Sequence, residues 1–362
     1  MATRLPPAWV VRPLLATRNA IRRVHDRVVP AEAVLLERTA GLIETKALAV
    51  AADLGVADQL SQGPADASTL AARCGADADA LDRLLRFLVS RGIFARRRDR
   101  RYDNNRLSEL LRADQPSGMS HWSRFYGSSW HVDIWNHLEH SVRTGGSAAD
   151  AAFGRSFWEQ LTDVDPAAGA LFDAAMEDVS RIQTEIVPRK HDFSRCRDVC
   201  DVGGGTGTLL AGILAANPGV RGTLFDLPSV VAKAPRLLEA AGVADRVETV
   251  GGDFFESVPA GRDRYLLQAI VHDWDDESCT KILGNVRAAM TPLARVLVLE
   301  QVLPSHDGWH PVKAIDLEML VDTGAGRERN RDEFIALFAR AGLKVARTRA
   351  LPIVTIFELV AA

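Results

Sequence analysis

A chain of 362 residues that is 47% hydrophobic and 25% charged has the makeup of an ordinary soluble globular protein, with room for two or three domains and a large core. A net charge of −3 gives no overall electrostatic case for nucleic acid or an anionic membrane. Four scattered cysteines, Cys74, Cys196, Cys200 and Cys279, fit reduced thiols in the core better than a disulfide frame or a zinc site. The opening MATRLPPAWVVRPLLA is broken by prolines and arginines before a signal-length apolar run builds up, and no run approaches the ~20 apolar residues that span a bilayer. A cytoplasmic location is therefore expected.

Residues 1 to 34 mix Arg18, Arg22, Arg23 and Arg27 with prolines and read as an arm or a frayed helix. From Val34 to Leu54 the period is helical, with Leu36, Ala40, Ile43, Ala47 and Val50 on one face. Asp66 or Ser68 can cap a second helix that ends at Gly75. Asp79 can cap a third, in which Leu81, Leu84, Leu85 and Leu88 form a stripe ending at Gly92. Ile93 to Asp103, with its RRRDRRY run, reads as a hairpin wing, and the whole resembles a winged helix. The would-be recognition helix carries Asp77, Asp79 and Asp82 beside Arg83 and Arg86. Carboxylates facing phosphates repel them, so a role in pairing proteins is expected in place of DNA binding. The apolar stripes exceed what so small a domain buries alone, which predicts a homodimer built by residues 1–112.

A linker, Asp114 to Gly118, leads into an aromatic-rich helical stretch, expected over residues 113–190. It contains Trp122, Phe125, Tyr126, Trp130, Trp135, Phe153, Phe157, Trp158, Phe172 and Met176. Two readings stand: packed core, or a flat apolar pocket for a substrate. His131, His137 and His140 lie in the same stretch without a carboxylate at matching spacing, so no metal site is expected.

From residue 191 to the end, β-rich runs alternate with helical ones: RDVCDV, GTLFDL, RVETVGGD, RYLLQAIV, ARVLVLEQVL and TIFELVA. This predicts an α/β fold with a doubly wound, mostly parallel sheet covered on both faces, and ligands beyond the carboxyl ends of its strands. The first strand runs into Gly203, Gly204, Gly205 and Gly207, after which TLLAGILAA reads as a helix. Such a turn lets a nucleotide-like ligand lie against the main chain near a helix N-terminus. The position of the third glycine in a dinucleotide fingerprint is Thr208, which weakens a nicotinamide reading. Asp201 opening a GxGxG loop, with Asp226 ending the next strand where a carboxylate reaches ribose hydroxyls, points instead to S-adenosylmethionine (SAM).

Three acid-base candidates sit near strand ends or in loops: His272 after the strand from Tyr265 to Val271, Glu300 after Val296 to Leu299, and Glu328 in the loop GAGRER. A phenol with pKa near 10 is ionised to about one part in a thousand at pH 7, so a positioned base helps by ~10²–10⁴. His272 can take the hydroxyl proton through one ring nitrogen while a carboxylate holds the other.

The motifs DVGGGTG, LFDLP, GGDFFE, HDWDDE and GRER stand in one order over residues 35 to 362. As a set they resemble those of the dimeric SAM-dependent O-methyltransferases of plant phenylpropanoid and bacterial natural-product pathways. The resemblance implies a class I methyltransferase domain over 191–362 and a winged-helix-like dimerisation domain before it. It implies that Asp201 and the loop Gly203, Gly204, Gly205 and Gly207 hold the methionine end of SAM. Asp226 with Leu227 would take the ribose, and Asp253, Phe254 and Trp274 the adenine, with Gln268 nearby. His272 falls on the family's base, with Glu300 and Glu328 on the flanking acids. Trp130, Phe172, Met176, Asp273 and Met319 fall on acceptor-pocket positions. No metal, nucleic acid or membrane is implied, and the acceptor is a small aromatic or polyketide-like molecule. Gln268 stands where plant members often carry lysine, and Ala325 replaces one glycine of their GGKER-like turn. Some members of the family bind SAM yet decarboxylate or hydroxylate; His272 with both acids favours plain methyl transfer.

Overall fold

A computed structural model describes residues 8–115, 118–194, 196–352 and 354–362. Pro116 and Ser117 of the expected linker lie outside these, as do the first seven residues of the expected arm. The chain divides into two compact units, one holding Ile21–His137 and Ala152–Val179, the other Arg4–Ala20, Leu138–Ala151 and Ser180–Ala362.

In the first unit, helices Gly41–Asp53, Ala67–Cys74 and Ala78–Ser90 precede a small antiparallel pair, β1 (Ala95–Arg96) and β2 (Tyr102–Asp103). Their core gathers Leu70, Leu85, Leu88, Phe94 and Tyr102, each at most 2% exposed. Asp66 caps its helix by accepting from the Thr69 N–H, and the helix stops at Gly75 with φ +65. Two expectations change here. The cap of the next helix is Asp77, whose Oδ1 accepts from the Ala80 N–H at 2.9 Å. Asp79 lies inside the first turn, where its charge complements the helix dipole. The run Val34 to Leu54 is two helices, Ala31–Thr39 and Gly41–Asp53, and its marked face is not core: Leu36 is 72% and Ile43 60% exposed, and only Ala47 of that set is buried. The stripe Leu81, Leu85 and Leu88 is buried within the unit. In the wing, Arg97 pairs with Asp103 and Arg101 with Asp99, both at 2.6 Å, so these guanidiniums already have counter-charges.

The second unit is built on seven strands: β3 (Asp198–Val202), β4 (Arg221–Asp226), β5 (Val247–Gly251), β6 (Arg264–Gln268), β7 (Arg295–Glu300), β8 (Leu343–Ala350) and β9 (Thr355–Ala361). Their order is β5-β4-β3-β6-β7-β9-β8, with β9 antiparallel to β7 and β8 and the other pairings parallel. Side chains of the central strands alternate between two cores, as a two-residue period requires. Cys200, Tyr265, Leu267, Val296 and Val298 pack on one side with helices Asp276–Ala289 and Arg331–Arg340. Val199, Leu266, Leu297 and Leu299 pack on the other with helix Thr208–Ala216. Strand β8, LKVARTRA, was not among the expected strands: it is the sheet edge, and its Lys344, Arg347 and Arg349 break the apolar pattern. Strand β6 ends at Gln268, short of the expected Val271, because Ala269 takes φ +52 and turns the chain away. The winding reverses between β3 and β6, so the carboxyl ends of these neighbours flank the crevice where ligands of such sheets bind.

Candidate active site

The loop leaving β3 fits a ligand that lies on its backbone. Gly203, Gly205 and Gly207 have φ of +69, +59 and +87, which side chains of L-residues rarely adopt. A Cβ on Gly203 would lie 2.5 Å from Ile270 Cδ1, whereas one on Gly205 would meet no atom within 4 Å, so the Gly205 side of the loop is open. Asp201 is buried beneath the loop and accepts from the Leu210 N–H in the first turn of helix Thr208–Ala216. Burial, reinforced by Asp226, pushes its carboxyl up to about 7 against that hydrogen bond. Asp226 ends β4, accepting from the Gly205 N–H at 2.8 Å and the Leu227 N–H at 2.7 Å, so it ties the loop to the neighbouring strand. Leu227 is 47% exposed beside it. Phe254 lies along the loop, its Cε1 3.6 Å from the Cβ position of Gly203, and stands edge-on to Trp274 with ring centroids 6.0 Å apart. Asp253 is exposed, with Oδ1 accepting from the Phe255 N–H at 2.8 Å. Gln268, the last residue of β6, donates from Nε2 to Ser180 Oγ at 3.5 Å, the outer limit of a hydrogen bond.

His272 sits in a 3-10 turn, Val271–Asp273, four residues beyond the end of β6. Its Nδ1 meets Glu328 Oε1 at 3.0 Å, and its Nε2 lies 3.4 Å from Asp273 Oδ1. Glu300 flanks the ring as expected but does not bond it. Its Oε2 is 3.8 Å from Nδ1, beyond hydrogen-bonding range, while Oε1 accepts from the backbone N–H groups of Ile270 and Val271 at 3.1 and 2.8 Å. Glu300 therefore holds the turn, and Glu328 holds the ring. Burial opposes a charged His272, but Glu300, Asp273 and Glu328 outweigh it and raise its pKa to about 10. Burial likewise pushes Asp273 up to about 6, with His272 opposing and Glu328 adding to the shift, and Glu300 up to about 7, with His272 opposing.

Of the expected acceptor residues, Trp130, Phe172 and Met176 are half-buried in the first unit. Phe172 stands edge-on to the buried Phe125 and Phe157, at 5.7 and 5.5 Å, and Trp130 is 5.5 Å from Phe125. Phe125 and Phe157 are thus core, as one reading expected, while Trp130, Phe172 and Met176 are only partly buried. In the second unit, Met319 is half-buried on helix Pro311–Asp322.

Sequence reasoning passed over Arg329. It is fully buried, and its guanidinium donates to the carbonyls of Val271 and Trp274 and to Asp276, at 2.7 to 2.9 Å. Its neighbour Arg327 donates a backbone N–H to the His272 carbonyl at 2.8 Å. The only hint in sequence was adjacency to Glu328, since Arg in a polar loop usually reads as surface.

The description "O-methyltransferase domain" matches residues 135–344, and "O-methyltransferase dimerisation domain" matches 36–114. The chain is 41% identical to a mitomycin biosynthesis 6-O-methyltransferase of Streptomyces lavendulae, over 85% of this chain and 88% of the relative. It resembles the crystal structure of NcsB1, an O-methyltransferase of neocarzinostatin biosynthesis in complex with SAM and 2-hydroxy-5-methyl naphthoic acid. That match has TM-score 0.75 and 36% identity, and covers 88% of this chain and 96% of the other. A relative of different chemistry, the aclacinomycin 10-hydroxylase RdmB of Streptomyces purpurascens, is 36% identical over 87% of this chain and 85% of its own.

Proposed function

This chain belongs to the O-methyltransferase family, as an enzyme that uses SAM on an aromatic natural-product hydroxyl, and from that premise we propose that His272 is the base that takes the hydroxyl proton. The observation that carries the proposal is the ring's fixed orientation. Nδ1 is committed to Glu328 at 3.0 Å, and the nitrogen for the acceptor is then Nε2, which has Asp273 Oδ1 beside it at 3.4 Å.

The glycine cradle, open at Gly205, fits the methionine end of SAM, with Asp201 setting the helix N-terminus beneath it. Asp226 and Leu227 are proposed to take the ribose, and Asp253, Phe254 and Trp274 the adenine, with Gln268 nearby. The acceptor roles of Trp130, Phe172, Met176, Asp273 and Met319 rest on the family resemblance. When bound, SAM supplies an electrophilic methyl on a cationic sulfonium, and that charge disfavours a second cation at His272. With its pKa raised to about 10, His272 holds a proton at neutral pH in the free enzyme and must release it before acting as a base. Nε2 of the neutral ring then takes the acceptor's O–H proton, and Glu328 stabilises the imidazolium that forms. Glu300, bonded to the Ile270 and Val271 N–H groups, keeps the turn from shifting as charge develops.

The test is incubation with SAM and a panel of polyketide, phenolic and indolic acceptors, read by mass spectrometry. A methylated product is expected; a product that gains an oxygen atom and no methyl places the chain's chemistry with its hydroxylase relative. His272→Ala should bind S-adenosylhomocysteine normally and lose ~10²–10⁴ in turnover, because the loss falls on the transition state. Wild-type turnover by that variant on a phenol of pKa near 10 would make His272 structural.

We also infer a homodimer. The matched dimerisation domain supports it, as do the exposed apolar side chains Ile21, Val24, Leu35, Leu36, Leu42 and Ile43 of the first unit. Among the described residues, no helix is long and apolar enough to cross a membrane.

A further inference from the structure

We propose that Arg329 is a positioning residue for methyl transfer, its guanidinium fixing the turn that carries His272 against the segment that carries Glu328. The proposal rests on the reading of His272 as base and names what sets that base's geometry.

No strand pairing aligns the two segments. One is the turn and loop from Val271 to Asp275, and the other is the loop before helix Arg331–Arg340. Arg329 joins them from beneath. Nη1 donates to the Val271 carbonyl at 2.8 Å and Nη2 to the Trp274 carbonyl at 2.9 Å, so the acceptors bracket His272 and Asp273. Nε and Nη2 both reach Asp276 Oδ1, at 2.9 and 2.7 Å, anchoring the guanidinium at the start of helix Asp276–Ala289. Asp276 is held below the usual carboxylate range: burial works against the shift, and bonds from Arg340 and Arg329 outweigh it. On the other segment, the Arg327 N–H donates to the His272 carbonyl at 2.8 Å, and the Glu328 N–H to Asp316 Oδ1 at 2.8 Å. Glu328 lies between these anchors, and its reach to Nδ1 is set by them.

Only an arginine suits this place. A planar fork reaches two carbonyls and a carboxylate at once, in directions an ammonium on a flexible stem cannot match. A buried charge is retained where its partners are fixed, and Arg329 has a side-chain exposure of 1%. Its two short carbonyl bonds go to the residues that flank the His272 turn, with a longer one, 3.5 Å, to the Arg327 carbonyl on its own segment, and this separates it from a general core brace. The arginine touches neither ring nor acceptor, so its effect travels through the backbone of the turn.

The experiment compares full-length wild type with Arg329→Lys by three readouts: turnover at saturating SAM and acceptor, affinity for S-adenosylhomocysteine, and NMR titration of the His272 imidazole. Arg329→Lys should keep S-adenosylhomocysteine affinity and acceptor KM within about twofold and lower kcat by up to ~10²-fold, the cost of a misplacement near 1 Å. The His272 titration should move to lower pH as the bond to Glu328 loosens. A variant that melts earlier yet keeps wild-type kcat and an unmoved His272 titration overturns the proposal. Should the lysine variant fail to fold, Asp276→Ala frees one end of the fork while sparing both carbonyl bonds. It should move the same readouts by a smaller amount, and unmoved readouts overturn the proposal equally. Failure of the base reading appears elsewhere, as retained turnover in His272→Ala.

Discussion

His272 is a residue whose neighbours pull its protonation in opposite directions. Burial alone would keep the imidazole neutral, yet three carboxylates bring its pKa to about 10, so the free enzyme stores a proton that catalysis needs removed. Activity should therefore rise with pH. The kcat/KM profile, which reports the free enzyme, should show a limb well above the ordinary 6.5 of histidine, and the kcat profile should show it at lower pH, because bound sulfonium opposes the imidazolium. Identical limbs would mean that cofactor charge is not felt at the ring, and His272→Ala should lack the limb in both. The same linkage acts on stability. A folded pKa above the unfolded value contributes stability that is complete below about 6.5 and lost as pH rises through about 10, so wild type should lose its excess stability over His272→Gln across that window in denaturant titrations. At this scale the candidates His272 and Glu328 were legible because chemistry restricts which side chains hold protons near pH 7. Glu300 was legible as a participant but not as the holder of the turn, since a carboxylate's partners depend on what the fold brings to it.

Elements place these residues through their ends. Strand β4 delivers Asp226 to the loop after β3, and two backbone N–H groups converge on that carboxylate. Asp226→Ala should weaken S-adenosylhomocysteine binding by ~1–3 kcal/mol, through a looser loop and loss of the ribose contact proposed for it. Calorimetry reads this directly, and unchanged affinity would move the ribose contact elsewhere. The turn ahead of Glu328 is more tightly constrained than its sequence suggests. A Cβ on Gly326 would lie 2.5 Å from Thr323 Oγ1 and 2.7 Å from the His272 carbonyl oxygen, whereas Ala325 is exposed. Gly326→Ala should cost ~1–3 kcal/mol in denaturant unfolding and reduce turnover by displacing His272, while Ala325→Gly should leave turnover unchanged. Equal behaviour of the two would show that this turn tolerates displacement. In this chain, position 325 has room for a side chain and position 326 does not, which spacing alone could not reveal.

For the whole molecule, the apolar residues of the N-terminal region divide by role. Leu81, Leu85 and Leu88 are core, so Leu85→Ala should cost ~2–5 kcal/mol and unfold the unit rather than split an assembly. Leu36 and Ile43 are exposed, and as part of the proposed interface their joint replacement by glutamate should leave a folded monomer. Light scattering distinguishes the cases, and a wild-type monomer at micromolar concentration removes the dimer.

Much of this protein was set by local rules visible in the chain. The alternation of strand-like and helical runs specified a doubly wound sheet, the glycines after Asp201 specified a backbone-lined loop, and Asp66 and Gly75 specified where a helix begins and ends, since each depends on side chains a few residues apart. What depended on distant segments was decided only in the folded chain. Leu36 and Ile43 of the periodic face turned outward because the small side chains Ala47, Ala49, Ala51 and Ala52 are what helix Gly41–Asp53 buries. Strand β8 formed in spite of its charges because β9 offered it an edge. The hold of Arg329 on the His272 turn joins residues more than fifty positions apart, and no sequence period records a hydrogen bond between two loops.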